Sequence, residues 1–156
     1  MEIERRYLVK GDGWRNAGVT QEYWQGYLSV APERTVRIRI VGDQAWLTIK
    51  GKISDVSRHE FEYSIPRADA LTMLDAMCPM QVRKMRTRLE FAGHLWEVDE
   101  FSGANAGLLL AEIELPSEDT PFDKPDWLGA EVTADSRYTN AWLADHPYST
   151  WDPAGI

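Results

Sequence analysis

Cysteine is nearly missing: Cys78 stands alone among 156 residues. That excludes an internal disulfide, and no neighbour stands at zinc-ligand spacing, so it reads as a small core or surface thiol. No stretch approaches the roughly eighteen consecutive apolar residues of a membrane-spanning helix. The chain opens on Met1-Glu2-Ile3-Glu4 and not on a basic segment followed by an apolar run, so the cytoplasm is the expected location. Positive charge is in deficit. With 17 Lys and Arg against 25 Asp and Glu, the formal net charge is −8, which argues against generic binding to nucleic acid or to an anionic membrane. The G-x-x-x-x-G-K-[ST] loop is missing too, so any phosphate would be held by side chains and not by a P-loop of backbone amides. Repeats and low-complexity segments are absent.

What the chain has in abundance is charge of one sign at every second residue. Glu2 and Glu4, Arg37 and Arg39, Glu60 and Glu62, Lys84 with Arg86 and Arg88, and Glu112 and Glu114 each repeat this spacing. Period two places each set on one face of a β-strand. Like charges side by side destabilise a strand, and an ordinary exposed sheet mixes signs so that neighbours attract. Here acids and bases are sorted by strand. A face of this kind suits a highly charged ligand, and the obvious candidate is a polyphosphate held with a divalent metal.

Alternation predicts strands over Glu2 to Val9, Thr20 to Ser29, Thr35 to Val41, Ala45 to Lys50, His59 to Ile65, Gln81 to Phe91, His94 to Phe101 and Leu108 to Leu115. Gly42-Asp43 and Ala92-Gly93 read as tight hairpin turns. Ala68 to Met77 predicts a short amphipathic helix with Leu71, Leu74 and Met77 on its apolar face. Pro116 to Gly129 reads as a connecting loop, and Asp135 as the cap of a last helix running to about Ala144. The expectation is one domain spanning 1–156, α+β but mainly β. An eight-stranded antiparallel closed barrel with a few peripheral helices would remove the unpaired edges and turn the charged face inward. Ile38, Phe61 and Ile113 would mark the opposite, core-facing side. A polar-out, apolar-in exposed sheet is the alternative for any single strand.

Glu2, Glu4, Glu62, Asp99, Glu112 and Glu114 offer hard carboxylate oxygens, the donors that Mg²⁺ or Mn²⁺ prefers over softer ligands. Arg37, Arg39, Lys50, Arg58, Lys84 and Arg86 lie on several strands, and a barrel would converge them where arginine forks match phosphate oxygens. The histidines, His59, His94 and His146, stand apart in sequence and are expected to be surface or hydrogen-bonded side chains. The seven tryptophans, Trp14, Trp24, Trp46 and Trp96 among them, are expected in core packing, most of them out of phase with the charges.

Several segments in order resemble the CYTH domain family, the triphosphate tunnel metalloenzymes. Glu2-Ile3-Glu4-Arg5-Arg6 is similar to its E-x-E-x-K signature. Val36-Arg37-Ile38-Arg39, Leu47-Thr48-Ile49-Lys50, Arg58-His59-Glu60-Phe61-Glu62, Lys84-Met85-Arg86, Ala111-Glu112-Ile113-Glu114 and Asp135 with Arg137-Tyr138 and Asn140 follow. The resemblance implies an eight-stranded tunnel that binds a small-molecule triphosphate beside one or two divalent cations, and an inorganic triphosphatase as its typical activity. It places Glu2, Glu4, Glu62, Asp99, Glu112 and Glu114 at the metal and Arg37, Arg39, Lys50, Arg58, Lys84 and Arg86 on the phosphates. Arg137 joins that clamp from the last helix, and Glu4 and Arg6 stand at the catalytic centre. A homodimer is left open. Arg6 replaces the signature lysine; because arginine does not release its proton, charge neutralisation and phosphate binding are the roles left to it. An organic triphosphate such as ATP or thiamine triphosphate, cyclase chemistry, and a non-catalytic polyphosphate binder remain as alternatives.

Overall fold

A computed structural model describes residues 2–151. Nine strands form one antiparallel sheet: β1 (Glu2–Val9), β2 (Val19–Ser29), β3 (Thr35–Val41), β4 (Gln44–Lys52), β5 (Ser57–Ile65), β6 (Met80–Phe91), β7 (His94–Phe101), β8 (Leu109–Glu114) and β9 (Leu128–Glu131). Their order is β5-β4-β3-β2-β6-β7-β8-β1-β9, and pairing of β5 with β1 closes strands β1 to β8 into a barrel. Closure is short, through Glu2 opposite Arg58 and Ile3 opposite Ser57. Beyond it the same edge of β1 turns to β9, with Tyr7 opposite Glu131. The segment read as pure loop up to Gly129 therefore ends in a strand, which four residues of weak alternation did not announce.

Both hairpin turns form as expected. Ala92 and Gly93 carry φ of 50° and 82°, the two positive values a type I′ turn requires. Helix α1 (Arg67–Met77) packs on the outside of β3, where Ala70, Leu74 and Cys78 meet Ile38, Ile40 and Ala45. It approaches β2 so closely that a Cβ on Gly26 would stand 2.6 Å from Leu74 Cδ2, leaving glycine as the residue that fits there. The buried face is Ala70-Leu74-Cys78, rotated from the expected one, and Met77 is exposed. Asp135 caps only a 3₁₀ turn, Ser136–Tyr138, by accepting from the Arg137 N–H. A separate helix α2 (Asn140–Asp145) starts at Thr139, whose hydroxyl accepts from the Trp142 N–H. Two caps so close together split what the sequence suggested was one helix.

The apolar core lies mostly outside the barrel wall. Trp96 is fully buried and meets Phe122 and Trp127 edge-to-face at 5.9 and 5.7 Å, which seals the outer face of β1, β7 and β8 under the loop preceding β9. Phe61 does not join this core: it is 54% exposed on the outer face of β5. Inside, the inward phase changes from charged to apolar at one end. Val82, Phe101 and Leu110 continue the lumen-facing phase of β6, β7 and β8, and Tyr138 and Leu143 pack on them. The C-terminal segment thereby stoppers one end of the barrel. No helix among the described residues is long and apolar enough to cross a membrane.

Candidate active site in the barrel lumen

The lumen is a cavity of about 1110 Å³ lined by inward side chains from the barrel strands and by α2. Register decides which residues share it. Thr48 of β4 lies between Arg37 of β3 and Glu62 of β5, Arg39 faces Gln25 of β2, and Glu4 and Arg6 of β1 face Glu114 and Glu112 of β8. Opposed residues in an antiparallel pair project to the same side, so these six strands deliver charged and polar side chains to one space.

The cations are not equally occupied. Arg6 is held between two carboxylates, with Nη2 2.9 Å from Glu4 Oε1 and Nε 3.4 Å from Glu112 Oε1. Arg86 binds Asp99 through two parallel bonds of 2.7 and 2.9 Å and reaches Glu97 at 3.4 Å. The β3 arginines contrast with these. Arg37 donates to the Thr48 hydroxyl at 3.3 Å, Glu62 stands 3.9 Å off, and its buried Nε has no hydrogen-bond partner. Arg39 donates to the neutral Gln25 amide oxygen at 3.0 Å and lies over the Tyr23 ring. Burial, then Arg37 and Arg86, push Arg39 down to about 9, which leaves it charged at neutral pH.

A profile of the CYTH domain matches residues 1–141. The chain belongs to the CYTH domain family. It is 44% identical to an inorganic triphosphatase of Acetivibrio thermocellus over 96% of this chain and 97% of that protein. It is 36% identical to an inorganic triphosphatase of Nitrosomonas europaea over 92% and 96%. A solved structure of the inorganic triphosphatase NE1496 superposes with a TM-score of 0.66 at 33% identity, covering 92% of this chain and 94% of the other.

In this CYTH barrel, Glu4, Arg6, Arg37, Arg39, Lys50, Arg58, Glu62, Arg86, Glu112 and Glu114 line the cavity. Lys84 and Asp99 stand behind the lining, both without solvent access, 2.7 Å apart. Lys84 also donates to Asn140 Oδ1 at 2.8 Å and so ties α2 to β6. Burial and Arg86 push Lys84 down to about 7, while Arg86 and Lys84 outweigh burial to hold the Asp99 carboxyl below its ordinary value. These directions oppose each other across one contact. The ionised pair prevails, since charges this close in a water-free setting attract strongly. Arg137 lies outside the lining, gripped by Asp135 at 2.7 Å and placed over Trp151. The Glu2 side chain lies outside the described residues.

The lumen also holds residues that charge periodicity does not mark. Gln25, fully buried, donates to the Tyr27 hydroxyl at 3.0 Å while it accepts from Arg39. The Thr48 hydroxyl in turn donates a hydrogen bond to Glu62 Oε2 at 3.1 Å. Trp46 shares the inward phase of Thr48 and Lys50 and lines the cavity, against the expectation that it packs in the core, and Trp142 of α2 and His146 just after it, stacked at 3.9 Å, join it there. The signal for Trp46 was present in its even-numbered phase with Lys50. Nothing local marked the other two.

The donor chemistry of the β1–β8 face suits a hard divalent cation, because Glu4, Glu112 and Glu114 present only oxygen. The Glu112 carboxyl is held well below its usual range: burial would raise it, and Arg6, Arg86 and Lys84 more than reverse that. It is therefore ionised and able to bind a cation at neutral pH. Among the described residues, however, no three acidic side chains are already gathered at one metal-binding point.

Proposed function

We propose that this CYTH protein hydrolyses inorganic triphosphate to pyrophosphate and phosphate inside the barrel, with Mg²⁺ or Mn²⁺ held by Glu4, Glu112 and Glu114. The observation that carries the reading is an arginine pair with donors to spare, the buried Arg37 and the half-buried Arg39, facing a carboxylate face across one cavity. Two relatives named inorganic triphosphatase, matched over nearly their full length, support it.

Arg37 and Arg39 supply planar forks for non-bridging phosphate oxygens, and Lys50 and Arg58 extend the positive field along the lumen. Arg86 cannot swing freely, since Asp99 grips it twice, so its remaining donor direction is fixed before substrate arrives. Phosphoryl transfer needs little covalent chemistry from the protein; positioning and neutralisation of developing charge supply most of the catalysis. A bound divalent cation contributes Lewis acidity toward the phosphate oxygens and toward water. Arg6, permanently protonated, serves as a charge at the β1–β8 face and not as a proton donor.

One alternative has a specific observation behind it. Trp46, Trp142 and His146 line part of the cavity and would suit the ring of an organic triphosphate. Phosphate release from tripolyphosphate, ATP and thiamine triphosphate, each with Mg²⁺, Mn²⁺ or chelator, separates the readings. Metal-dependent turnover selective for tripolyphosphate is expected. Selectivity for either organic substrate would replace the inorganic reading, and no turnover with any of them would remove hydrolysis.

A further inference from the structure

Arg6 occupies the oxygens that a metal at this face would need. Its guanidinium spans two strands, touching Glu4 Oε1 on β1 and Glu112 Oε1 on β8, and Arg58 adds a third cation 3.4 Å from the same Glu4 oxygen. Arg6 is 4% exposed, so these ion pairs feel little water and little salt. Its backbone is pinned independently: the N–H donates to the Thr133 hydroxyl at 3.0 Å and the carbonyl accepts from Val132 N–H at 2.8 Å. Any departure from the carboxylates is therefore a swing of the side chain alone.

We infer that Arg6 is a built-in competitor for the divalent cation, so that metal enters this barrel by exchange: the guanidinium leaves Glu4 and Glu112 as the metal arrives. The inference rests on the β1–β8 carboxylates being the metal site, and it concerns a position where the family signature carries lysine. The two side chains differ in the property that matters. Arginine bridges the two carboxylates through separate nitrogens of one rigid plane, whereas an ammonium presents its three N–H donors from a single nitrogen and so spans a shorter gap without the fixed fork. Arginine also cannot lose its proton to make way. Among the described residues no three acidic side chains are gathered at one point, and Glu4 and Glu112 are each drawn to a cation that holds them in the absence of metal. The arrangement stabilises the acidic face without metal and weakens metal binding by the same interactions.

The test is the Mn²⁺ binding curve of the full chain without phosphate, read from the electron paramagnetic resonance of free Mn²⁺. R6Q removes the charge and the bridge, and R6K keeps the charge but loses the planar two-nitrogen fork. Exchange predicts an apparent Kd at least about tenfold tighter in R6Q, with R6K between it and wild type. It also predicts that metal-free R6Q melts lower than wild type and regains the difference on adding Mn²⁺, since Glu4 and Glu112 lose the cation they share. Wild-type or weaker Mn²⁺ affinity in both variants overturns the proposal, and if R6Q does not fold, R6K alone decides it. Tripolyphosphate hydrolysis by the wild-type protein is scored separately. Hydrolysis with three identical Mn²⁺ curves removes the exchange and leaves the triphosphatase, whereas tightened curves without hydrolysis leave the exchange and remove the triphosphatase.

Discussion

Arginine occupies two different settings in one lumen. On β1 and β6, Arg6 and Arg86 each sit between two carboxylates, Glu4 and Glu112 in one case and Asp99 and Glu97 in the other. On β3, Arg37 and Arg39 have hydroxyl, amide and aromatic neighbours and one distant carboxylate. The residue type is the same and the outcome differs, because β1 and β6 pair with strands that carry inward acids whereas β3 pairs with Gln25 and Thr48. Cations that neighbouring acids satisfy hold the barrel together. Those left with spare donors are available to an anion.

The contrast makes stability and activity separable. Asp99→Asn should have the largest effect, about 3–5 kcal/mol of lost stability in urea denaturation, because it leaves Lys84 and Arg86 buried without their shared counter-ion. A loss under about 1 kcal/mol would erase the distinction between the two settings. Arg37→Ala and Arg39→Ala should do the reverse. Each should lower kcat/KM by about 10²–10³-fold, as expected for removal of a preorganised charge-stabilising donor, with a melting temperature no lower than wild type. A clear fall in melting temperature would mean that β3 too is structural.

Acid titration sharpens the comparison further. Asp99 and Glu112 are both held below their ordinary values, 3.8 and 4.5. They therefore add stability above those values that is lost as pH falls through the lower folded-state values. Metal-free protein should keep its urea midpoint from about pH 7 down to about pH 5 and lose it below about pH 4, and Asp99→Asn should flatten the acid limb. Arg137→Ala should have the smallest effect. Its pair with Asp135 is half-exposed and outside the cavity, so the melting temperature should change little and kcat/KM by less than about threefold.

Period two made the strands and their inward charges legible, because a closed barrel forces one face of every strand into one lumen. Eight predicted strands therefore became a ring whose acids and bases meet. What stayed hidden depended on partners distant in sequence. Lys84 carries the same periodic mark as Arg86, yet it is buried behind the lining because Asp99 and Asn140 meet it from β7 and α2. Phe61 alternates correctly but stays exposed, with the neighbouring His59 ring stacked against it. Gln25 and Thr48, the neutral partners that leave the β3 arginines with spare donors, carry no charge for a period to reveal. Trp46 followed the phase rule and was misassigned by residue type, since an aromatic on a strand usually packs into a core.

The central claim is that the spare donors of β3 serve triphosphate cleavage. Its most direct test follows tripolyphosphate by ³¹P nuclear magnetic resonance with wild-type protein and with the Arg37→Ala/Arg39→Ala double variant, in Mg²⁺ and in Mn²⁺. The account predicts one pyrophosphate and one phosphate from each tripolyphosphate with wild type, and a folded double variant at least about 10³-fold slower. An inert wild type in both metals, or a double variant that keeps pace with it, would contradict the account.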